Sequence, residues 1–324
     1  MNAYARSSRS VAGTLLGLSL CFPCAARTRA QNAPQFQQTK LVALKEPLFL
    51  DVDIESGQLQ ILYSRDGEVS LSVSMLGSPV LADDSFPLPF FEQNGNRIAI
   101  RVPVGARDQK TKAPHYRLDV PYRTEVLSRV GSGTQQISGI MGPVRAMTKS
   151  GDTRVSYVSQ DVAATAENGN LKFDVIGGRI QARVQRGNIS CTRAAQGIEA
   201  ESGHGDIALT AVGPSVAKIK AGSGRMEVSG ARSTFVGSTD AGNIHIKAVA
   251  HDNWQVSSKS GNIRNELPSN SGFVLDASTV AGVILFDRDD LKKLDAGARH
   301  INQTVSGGGK RIDVHTETGQ VAIR

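Results

Sequence analysis

The chain has 324 residues, a formal net charge of +7 and only 5% aromatic residues. Four arginines and no acidic residue lie in the first thirty positions, so the rest of the chain carries 7 − 4 = +3. This composition argues against a stacking surface for single-stranded nucleic acid, and we expect no nucleic-acid partner.

The first thirty residues have the pattern of a signal peptide, which we delimit as residues 1–30. Arg6 and Arg9 precede an apolar stretch over residues 11–26 that ends near small residues. That stretch is too short and interrupted for a membrane span, and no later segment reaches 18 apolar residues. We therefore expect an exported protein, periplasmic or on the cell surface, with no transmembrane segment in the mature chain. Lipoprotein anchoring at Cys21 is disfavoured because the preceding Leu20 is large.

Residues 31–130 are rich in strand patterns but lack a regular period. Residues 55–61 already resemble the repeat unit described below, and the segments 77–91 and 105–114 have the composition of surface loops. We predict an irregular β region that caps or begins a repeat array, because such arrays need atypical ends that protect open strand edges.

Residues 131–324 contain the main repeat, in which a glycine recurs every 18 or 19 residues. The recurring glycines are Gly133, Gly151, Gly169, Gly187, Gly205, Gly224, Gly242 and Gly261. A sharp corner between two strands needs a residue that tolerates positive φ, which explains the glycine. The Asn or Asp that usually follows also favours turns and could stack on its equivalents in adjacent copies.

Apolar residues occupy fixed positions in each copy. The positions two and four residues after the glycine are apolar, and the position between them is usually polar. The first of these apolar positions holds, for example, Leu171, Ile189 and Ile207. A second apolar position follows eleven residues after the glycine; its members are Val162, Ile180, Ile198, Val216 and Phe235. The pattern predicts an all-β fold, a β-solenoid with two strands in each coil of about 18–19 residues.

Three other interpretations of the period fit less well. A calcium-binding nonapeptide roll requires glycine-rich turns with an aspartate in each. A left-handed hexapeptide helix requires aliphatic residues at six-residue intervals, and those positions hold residues such as Ser159 and Arg183. A chance pattern in a β-sandwich does not explain eight glycines in phase.

The period breaks near the C-terminus. Residues 280–286 have the composition of a buried strand, residues 287–309 form an insertion, and residues 310–315 and 319–323 return to strand patterns. Residues 289–294 have the composition of one or two helical turns. We favour a C-terminal cap for the insertion over a specialised feature.

Candidate sites are few, and we predict no catalytic residue and no cofactor. Asp287, Asp289 and Asp290 form the densest acidic group and are weak candidates for a metal site, although neighbouring cations could neutralise them. The histidines lack metal-ligand spacing. Cys191 lies in an apolar position, where a small buried thiol is the simplest interpretation.

The repeat motif, serine-glycine-aspartate or -asparagine followed by an aliphatic residue, resembles that of the putative-adhesin β-strand-repeat family of exported bacterial proteins, a domain of unknown function. The likeness is carried by residues 118–121, 132–133, 149–153, 202–207 and 260–263. The resemblance implies a single-domain solenoid that is exported and has no known catalytic residues.

Two classes of function follow. The first is an exported, non-enzymatic scaffold or adhesion-type module that binds an envelope protein or a glycan; a partner of a membrane regulator in envelope stress belongs to the same class. The alternative is a β-helix polysaccharide lyase or hydrolase that uses the cluster Asp287–Asp290. Short coils with nearly constant turns favour the first, because such enzymes usually place paired carboxylates in a groove with long loops.

Overall fold

The computed structural model describes residues 35–38, 47–65, 68–74, 89–102, 114–288, 291 and 297–324. These residues form two sheets of fourteen strands each, which share one hydrophobic core. The first sheet has the order β1-β4-β7-β3-β9-β11-β13-β15-β17-β19-β21-β23-β28-β25, and the second has the order β26-β24-β27-β22-β20-β18-β16-β14-β12-β10-β8-β2-β6-β5. The predicted all-β solenoid is confirmed.

The strands, in chain order, are β1 (Gln35–Gln38), β2 (Leu48–Ser56), β3 (Gln58–Tyr63), β4 (Ser70–Ser74), β5 (Phe90–Asn94), β6 (Arg97–Val102), β7 (His115–Val120), β8 (Thr124–Ser132), β9 (Gln135–Ser138), β10 (Val144–Ser150), β11 (Thr153–Val158), β12 (Val162–Asn168), β13 (Leu171–Ile176), β14 (Ile180–Arg186), β15 (Ile189–Cys191), β16 (Ile198–His204), β17 (Ile207–Thr210), β18 (Ala217–Ser223), β19 (Met226–Ser229), β20 (Phe235–Ala241), β21 (Ile244–Lys247), β22 (Trp254–Ser260), β23 (Ile263–Glu266), β24 (Phe273–Ala281), β25 (Ile284–Phe286), β26 (His300–Val305), β27 (Lys310–Thr318) and β28 (Val321–Ile323).

Each coil contributes one strand to the second sheet, turns a corner at its glycine, and contributes the next strand to the first sheet. Equivalent strands of successive coils pair in parallel, so Leu171 lies beside Ile189, which in turn lies beside Ile207. All three side chains are buried. The fixed apolar positions of the repeat therefore form continuous internal files of aliphatic side chains. A short third side of the coil closes it through the bridges from Ile176 to Ala194 and from Ala194 to Val212.

The corner glycines stack directly on one another. At Gly151 φ is 131°, and an added Cβ would lie 1.8 Å from the carbonyl oxygen of Gly133, so the close approach of two backbones excludes any side chain. The column consists of Gly57, Gly133, Gly151, Gly169, Gly187, Gly205, Gly224, Gly242, Gly261, Gly319 and Gly282. Its ten intervals correspond to a length of about 48 Å.

The residues that follow the glycines form a second ladder. The Oδ1 of Asn170 accepts a hydrogen bond of 3.0 Å from the backbone nitrogen of Asn188, and the Oδ1 of Asn188 accepts one of 2.7 Å from the nitrogen of Asp206. The same bond joins Asn243 to Asn262 at 2.9 Å. The predicted stacking of Asn and Asp thus exists mainly as side-chain to backbone bonds, which supply acceptors for backbone donors that the strands leave unpaired.

Two predicted core positions are wrong. Val216 is 44% exposed, and Ala217 takes its place between Ile198 and Phe235. The cause is the 19-residue interval between Gly205 and Gly224, whose extra residue lies before the second-sheet strand rather than after it. Val280 is 61% exposed because β24 continues to Ala281 before the chain turns.

Chain order and stacking order differ at both ends, so the coils there do not stack in the order in which they occur in the sequence. The coil of β2 and β3 lies between the coil of β6 and β7 and the coil of β8 and β9. Likewise, β27 and β28, although last in the chain, lie between the coil of β22 and β23 and the coil of β24 and β25. Intervening segments that are longer than a turn allow the chain to pass over one coil and return.

Antiparallel strands lie at three of the four sheet edges among the described residues. β5 pairs with β6, β26 pairs with β24, and β4 joins β7 to β1. Residues 31–34, 39–46, 66–67, 75–88 and 103–113 lie outside the described residues, as do 289–290 and 292–296, where one or two helical turns were predicted.

Candidate functional site: an axial groove on the second sheet

The outer face of the second sheet is concave. In each coil the strand register omits one residue just before the corner: Thr148 pairs with Ala166 and Ser150 with Asn168, while Lys149 has no partner in the ladder. Such an interruption bends a strand. The bends align from coil to coil and leave a groove parallel to the stacking axis, with a volume of ≈ 930 Å³. We call it the axial groove.

The axial groove extends over six coils, from Asp53 and Glu55 at one end to Glu201 and His204 at the other. Six stacked coils span about 24 Å, since parallel strands lie about 4.8 Å apart. The groove is therefore long and narrow, with the dimensions of an extended polymer segment rather than of a compact metabolite.

In two of its six coils the residue two positions before the corner is a glycine, which keeps the floor low there. Gly131 and Gly203 line the groove there. A Cβ on Gly131 would lie 2.4 Å from the carbonyl oxygen of Glu55, and one on Gly203 would lie 2.6 Å from that of Gln185. In the sequence these glycines recur less regularly than the corner glycines, so the repeat pattern does not indicate the groove.

Charges of both signs line the walls, and some of them pair with each other or with charged side chains next to the groove. Arg183 lies 3.2 Å from Glu199 and 3.5 Å from Glu201, and Lys220 lies 3.9 Å from Glu201. All of these side chains are more than a third exposed, so each pair contributes little to stability. Between them the groove presents Met147, whose side chain is 42% exposed. A ligand would meet a polar surface with no strong excess of either charge.

At one end of the groove, a buried carboxylate forms ion pairs with three arginines. Asp51 is 3% exposed and lies 2.7 Å from Arg101, 3.0 Å from Arg129 and 3.4 Å from Arg97. Burial alone would raise the pKa of Asp51, but the hydrogen bond and charge of Arg101, the charge of Arg129 and the hydrogen bond of Arg97 together hold that pKa below its usual value. The same bond raises the pKa of Arg101. Because these arginines come from β6 and β8, the cluster ties together the three coils whose order is exchanged.

The residues proposed for chemistry from sequence lie apart from the groove. Asp287 is 64% exposed and pairs with Arg324 at 3.4 Å. Asp289 and Asp290 lie outside the described residues. Within the part of the chain that the structure describes, no group of three or more His, Cys, Asp or Glu could hold a metal ion.

Cys191 is buried in the first sheet, as its apolar position indicated. Burial raises the pKa of its thiol to about 12, so the thiolate that would act as a nucleophile does not form at neutral pH. The eight predicted corner glycines all lie in the stacked column, where their part is structural.

Comparison with known sequences identifies the family to which this architecture belongs. The profile of the Toastrack DUF4097 family matches residues 160–324, which is just over half of the chain. The chain belongs to the Toastrack DUF4097 family. The match covers the coils from the middle of the axial groove to the exchanged C-terminal strands of this Toastrack protein. No curated protein matches the sequence.

Three solved structures are similar to this Toastrack chain. A putative adhesin from Parabacteroides distasonis is 10% identical, covers 90% of this chain and 98% of its own, and has a TM-score of 0.43. A putative adhesin from Bacteroides fragilis is 11% identical, with coverages of 89% and 97% and a TM-score of 0.40. A putative cell adhesion protein from Clostridium sporogenes is 9% identical, with coverages of 89% and 98% and a TM-score of 0.28.

Among the described residues there is no helix with the length and hydropathy that crossing a membrane requires.

Proposed function

We propose that this protein is an exported, non-enzymatic adhesion-type module that binds an extended segment of an envelope protein, or a glycan chain, along the axial groove. The observation that carries the proposal is the groove itself, which runs across six coils on a face built from regularly paired strands. A rigid surface of this kind lowers the entropic cost of holding an extended ligand, because the protein side is already ordered.

The lining favours a protein segment over a glycan. Arginine, lysine, aspartate and glutamate all line the walls, and within the described part of the groove no Phe, Tyr or Trp is present. A peptide with charges of both signs would find complementary partners at several coils, and electrostatic complementarity supplies specificity for such partners. A glycan remains the other outcome of the test below.

Export rests on the signal-peptide pattern of residues 1–30, which lie outside the described residues. We propose the same domain limits as the sequence indicates: a leader over 1–30, an N-terminal β region over 31–130 and repeats over 131–324. The intact mass of the protein recovered from the cell envelope measures the cleavage directly.

The binding proposal is tested by blocking the groove. The exposed Thr165 lies in the groove, and Thr165→Trp fills it without touching the core. Lys172→Trp is the matched control, because Lys172 is exposed on the outer face of the first sheet in the same coil. Binding of the full chain to envelope proteins and to a glycan array is measured by biolayer interferometry.

We expect Thr165→Trp to weaken binding by roughly tenfold or more, as loss of a central contact costs at least 1.4 kcal/mol, and Lys172→Trp to leave it unchanged. Equal loss in both variants would contradict the groove as the binding surface. Shortening of a polysaccharide during incubation, abolished by Asp287→Ala with Asp289→Ala and Asp290→Ala, would instead support the alternative of a lyase or hydrolase.

A further inference from the structure

A second concave site lies on the third side of the coils, away from the axial groove. It has a volume of ≈ 670 Å³ and lies where the chain leaves the first-sheet strands β19, β21 and β23. We call it the third-side pocket and define it by its floor, Ala231, Ala248 and Leu267, and by the basic residues Arg232 and Lys247 at its rim.

Two of the side chains beneath the pocket are alanines, in adjacent coils. In earlier coils the third side is filled by the buried branched residues Ile140, Val158, Ile176 and Val212, with the buried Ala194 between Ile176 and Val212. Ala231 lies 19 residues after Val212, and the backbone nitrogen of Arg232 bonds to the carbonyl oxygen of Val212 at 3.1 Å, so Ala231 continues this file. Replacement of a branched side chain by alanine leaves a recess with an apolar surface.

The floor is apolar and partly open. Ala231, Ala248 and Leu267 are 1%, 8% and 6% exposed, while Val249 at the margin is 41% exposed. Apolar surface of this kind attracts the hydrocarbon part of a ligand, because its removal from water is favourable.

The rim is basic. Arg232, Lys247 and Arg264 face a single acidic lining residue, Glu266, among the described residues. Glu266 is shared: it forms a close ion pair with Arg264, and lies 3.2 Å from His245 and 3.8 Å from Lys247. Within the described ranges, Arg232 has no acidic partner within ion-pair distance. The pocket thus combines an apolar floor with unneutralised positive charge.

We propose that the third-side pocket binds a single-chain aliphatic carboxylate, with its hydrocarbon chain on the apolar floor and its carboxylate beside Arg232 and Lys247. The pocket volume is in the range of small-molecule sites. A guanidinium and an ammonium group are the side chains best suited to a carboxylate. One charged head with an apolar tail matches the two surfaces, whereas a peptide backbone would bring further polar groups onto alanine and leucine.

The test measures binding of decanoate to the full chain by isothermal titration calorimetry. Two probes separate the contributions of head and tail: decyltrimethylammonium has the same tail with the opposite charge, and acetate has the head without the tail. We expect decanoate to bind in the millimolar range or more tightly and the other two probes to show no saturable binding.

The variants locate the site. Arg232→Ala with Lys247→Ala should weaken decanoate binding by roughly tenfold or more, since the carboxylate loses its charged partners. Val249→Asp should weaken it similarly, by placing a negative charge at the margin. Arg193→Ala is the matched control, because Arg193 is exposed on the third side of an earlier coil. Absence of decanoate binding, equal binding of the cationic probe, or an equal effect of the control would overturn the proposal.

Discussion

The middle of the stack and its two ends are built by different means. From β8 to β23 each coil lies on the coil before it in sequence, so every pairing joins residues 18 or 19 positions apart. At the ends, pairings join distant segments: Gln255 lies beside Asp313, and Asp51 beside Leu127. The middle is held by repetition, whereas the ends depend on particular long-range contacts.

This difference has a consequence for folding. Contacts between neighbouring coils close short loops, whereas insertion of a distant strand pair requires closure of a longer loop before any contact forms. We therefore expect the middle to tolerate changes in its surface side chains and to lose stability when a corner glycine is replaced. The ends should depend on their polar clusters.

The largest expected effect is at a corner glycine of the middle. Gly151→Ala places a methyl group against the carbonyl oxygen of Gly133 at a positive φ, so adjacent coils have to separate. We expect a loss of about 4 kcal/mol in the free energy of unfolding, measured by urea denaturation. Gly95→Ala is the control, because Gly95 also has positive φ, 58°, but no atom lies within 4 Å of its added Cβ. Similar losses in the two variants would refute the role of close stacking.

The next effect concerns the exchanged N-terminal coils. Asp51→Asn removes the negative charge that Arg97, Arg101 and Arg129 share. We expect it to lower the free energy of unfolding by about 1–3 kcal/mol. The loss is no larger because the arginines are partly exposed and water screens their charges. Asp53→Asn is the control, as Asp53 is 47% exposed and lies 3.9 Å from Arg129.

The Asp51 effect should depend on pH. Because the pKa of Asp51 is lowered in the folded protein, its contribution is complete above the unfolded pKa of about 4 and is lost as the pH falls through the lower folded value. Urea denaturation of wild type and Asp51→Asn between pH 7 and about pH 2 measures the difference. A difference that grew on acidification would contradict the assignment.

A stabilising change is expected where the middle of the stack meets the exchanged C-terminal strands. Asn265 is fully buried between Ile246 and Ile323, and neither Nδ2 nor Oδ1 of its side chain has a hydrogen-bond partner among the residues that the structure describes. Asn265→Val should raise the free energy of unfolding by about 1–3 kcal/mol, because the cost of burying an unpaired amide is removed. Asn262→Val should lower it, since the Oδ1 of Asn262 accepts a bond of 2.8 Å from the backbone of Gln320. Thermal denaturation of both variants provides the comparison.

The smallest effect is at a strained position in the middle. Val175 has φ of 56°, a left-handed conformation that a β-branched residue adopts at a cost. Val175→Asn should stabilise the protein by about 0.5 kcal/mol, whereas Val236→Asn, in a regular strand, should destabilise it. Loss of stability at Val175 as large as at Val236 would show that the conformation carries no strain.

The repeat could be predicted from sequence because each coil repeats the same local signal. A corner glycine, a turn residue and two alternating positions recur in phase, and each has a single structural cause. Between Gly133 and Gly261 the predicted register is wrong at Val216, since a 19-residue interval does not reveal on which side of the coil the extra residue lies.

The exchanged order of the end coils and the axial groove were not predictable in this way. Residues 310–323 have the same pattern as any other coil, and nothing in that pattern specifies which neighbour they join. The groove depends on bends before the corner and on the irregularly spaced Gly131 and Gly203, whose effect appears only when the coils are stacked. The triple-arginine contact of Asp51 joins residues up to 78 positions apart.

The position of the last strand pair tests the stacking order most directly. Ser257 and Ser278 both lie beside His315, on opposite sides of it. The account predicts that Ser257→Cys with His315→Cys forms a disulfide on mild oxidation, detected by peptide mass spectrometry, as readily as Thr165→Cys with Arg183→Cys in the middle. It also predicts that Ser257→Cys with Ser278→Cys does not, because two strand spacings, about 9.6 Å, exceed the reach of a disulfide. A disulfide between positions 257 and 278, with none between positions 257 and 315, would show that the coils stack in chain order and would contradict the account.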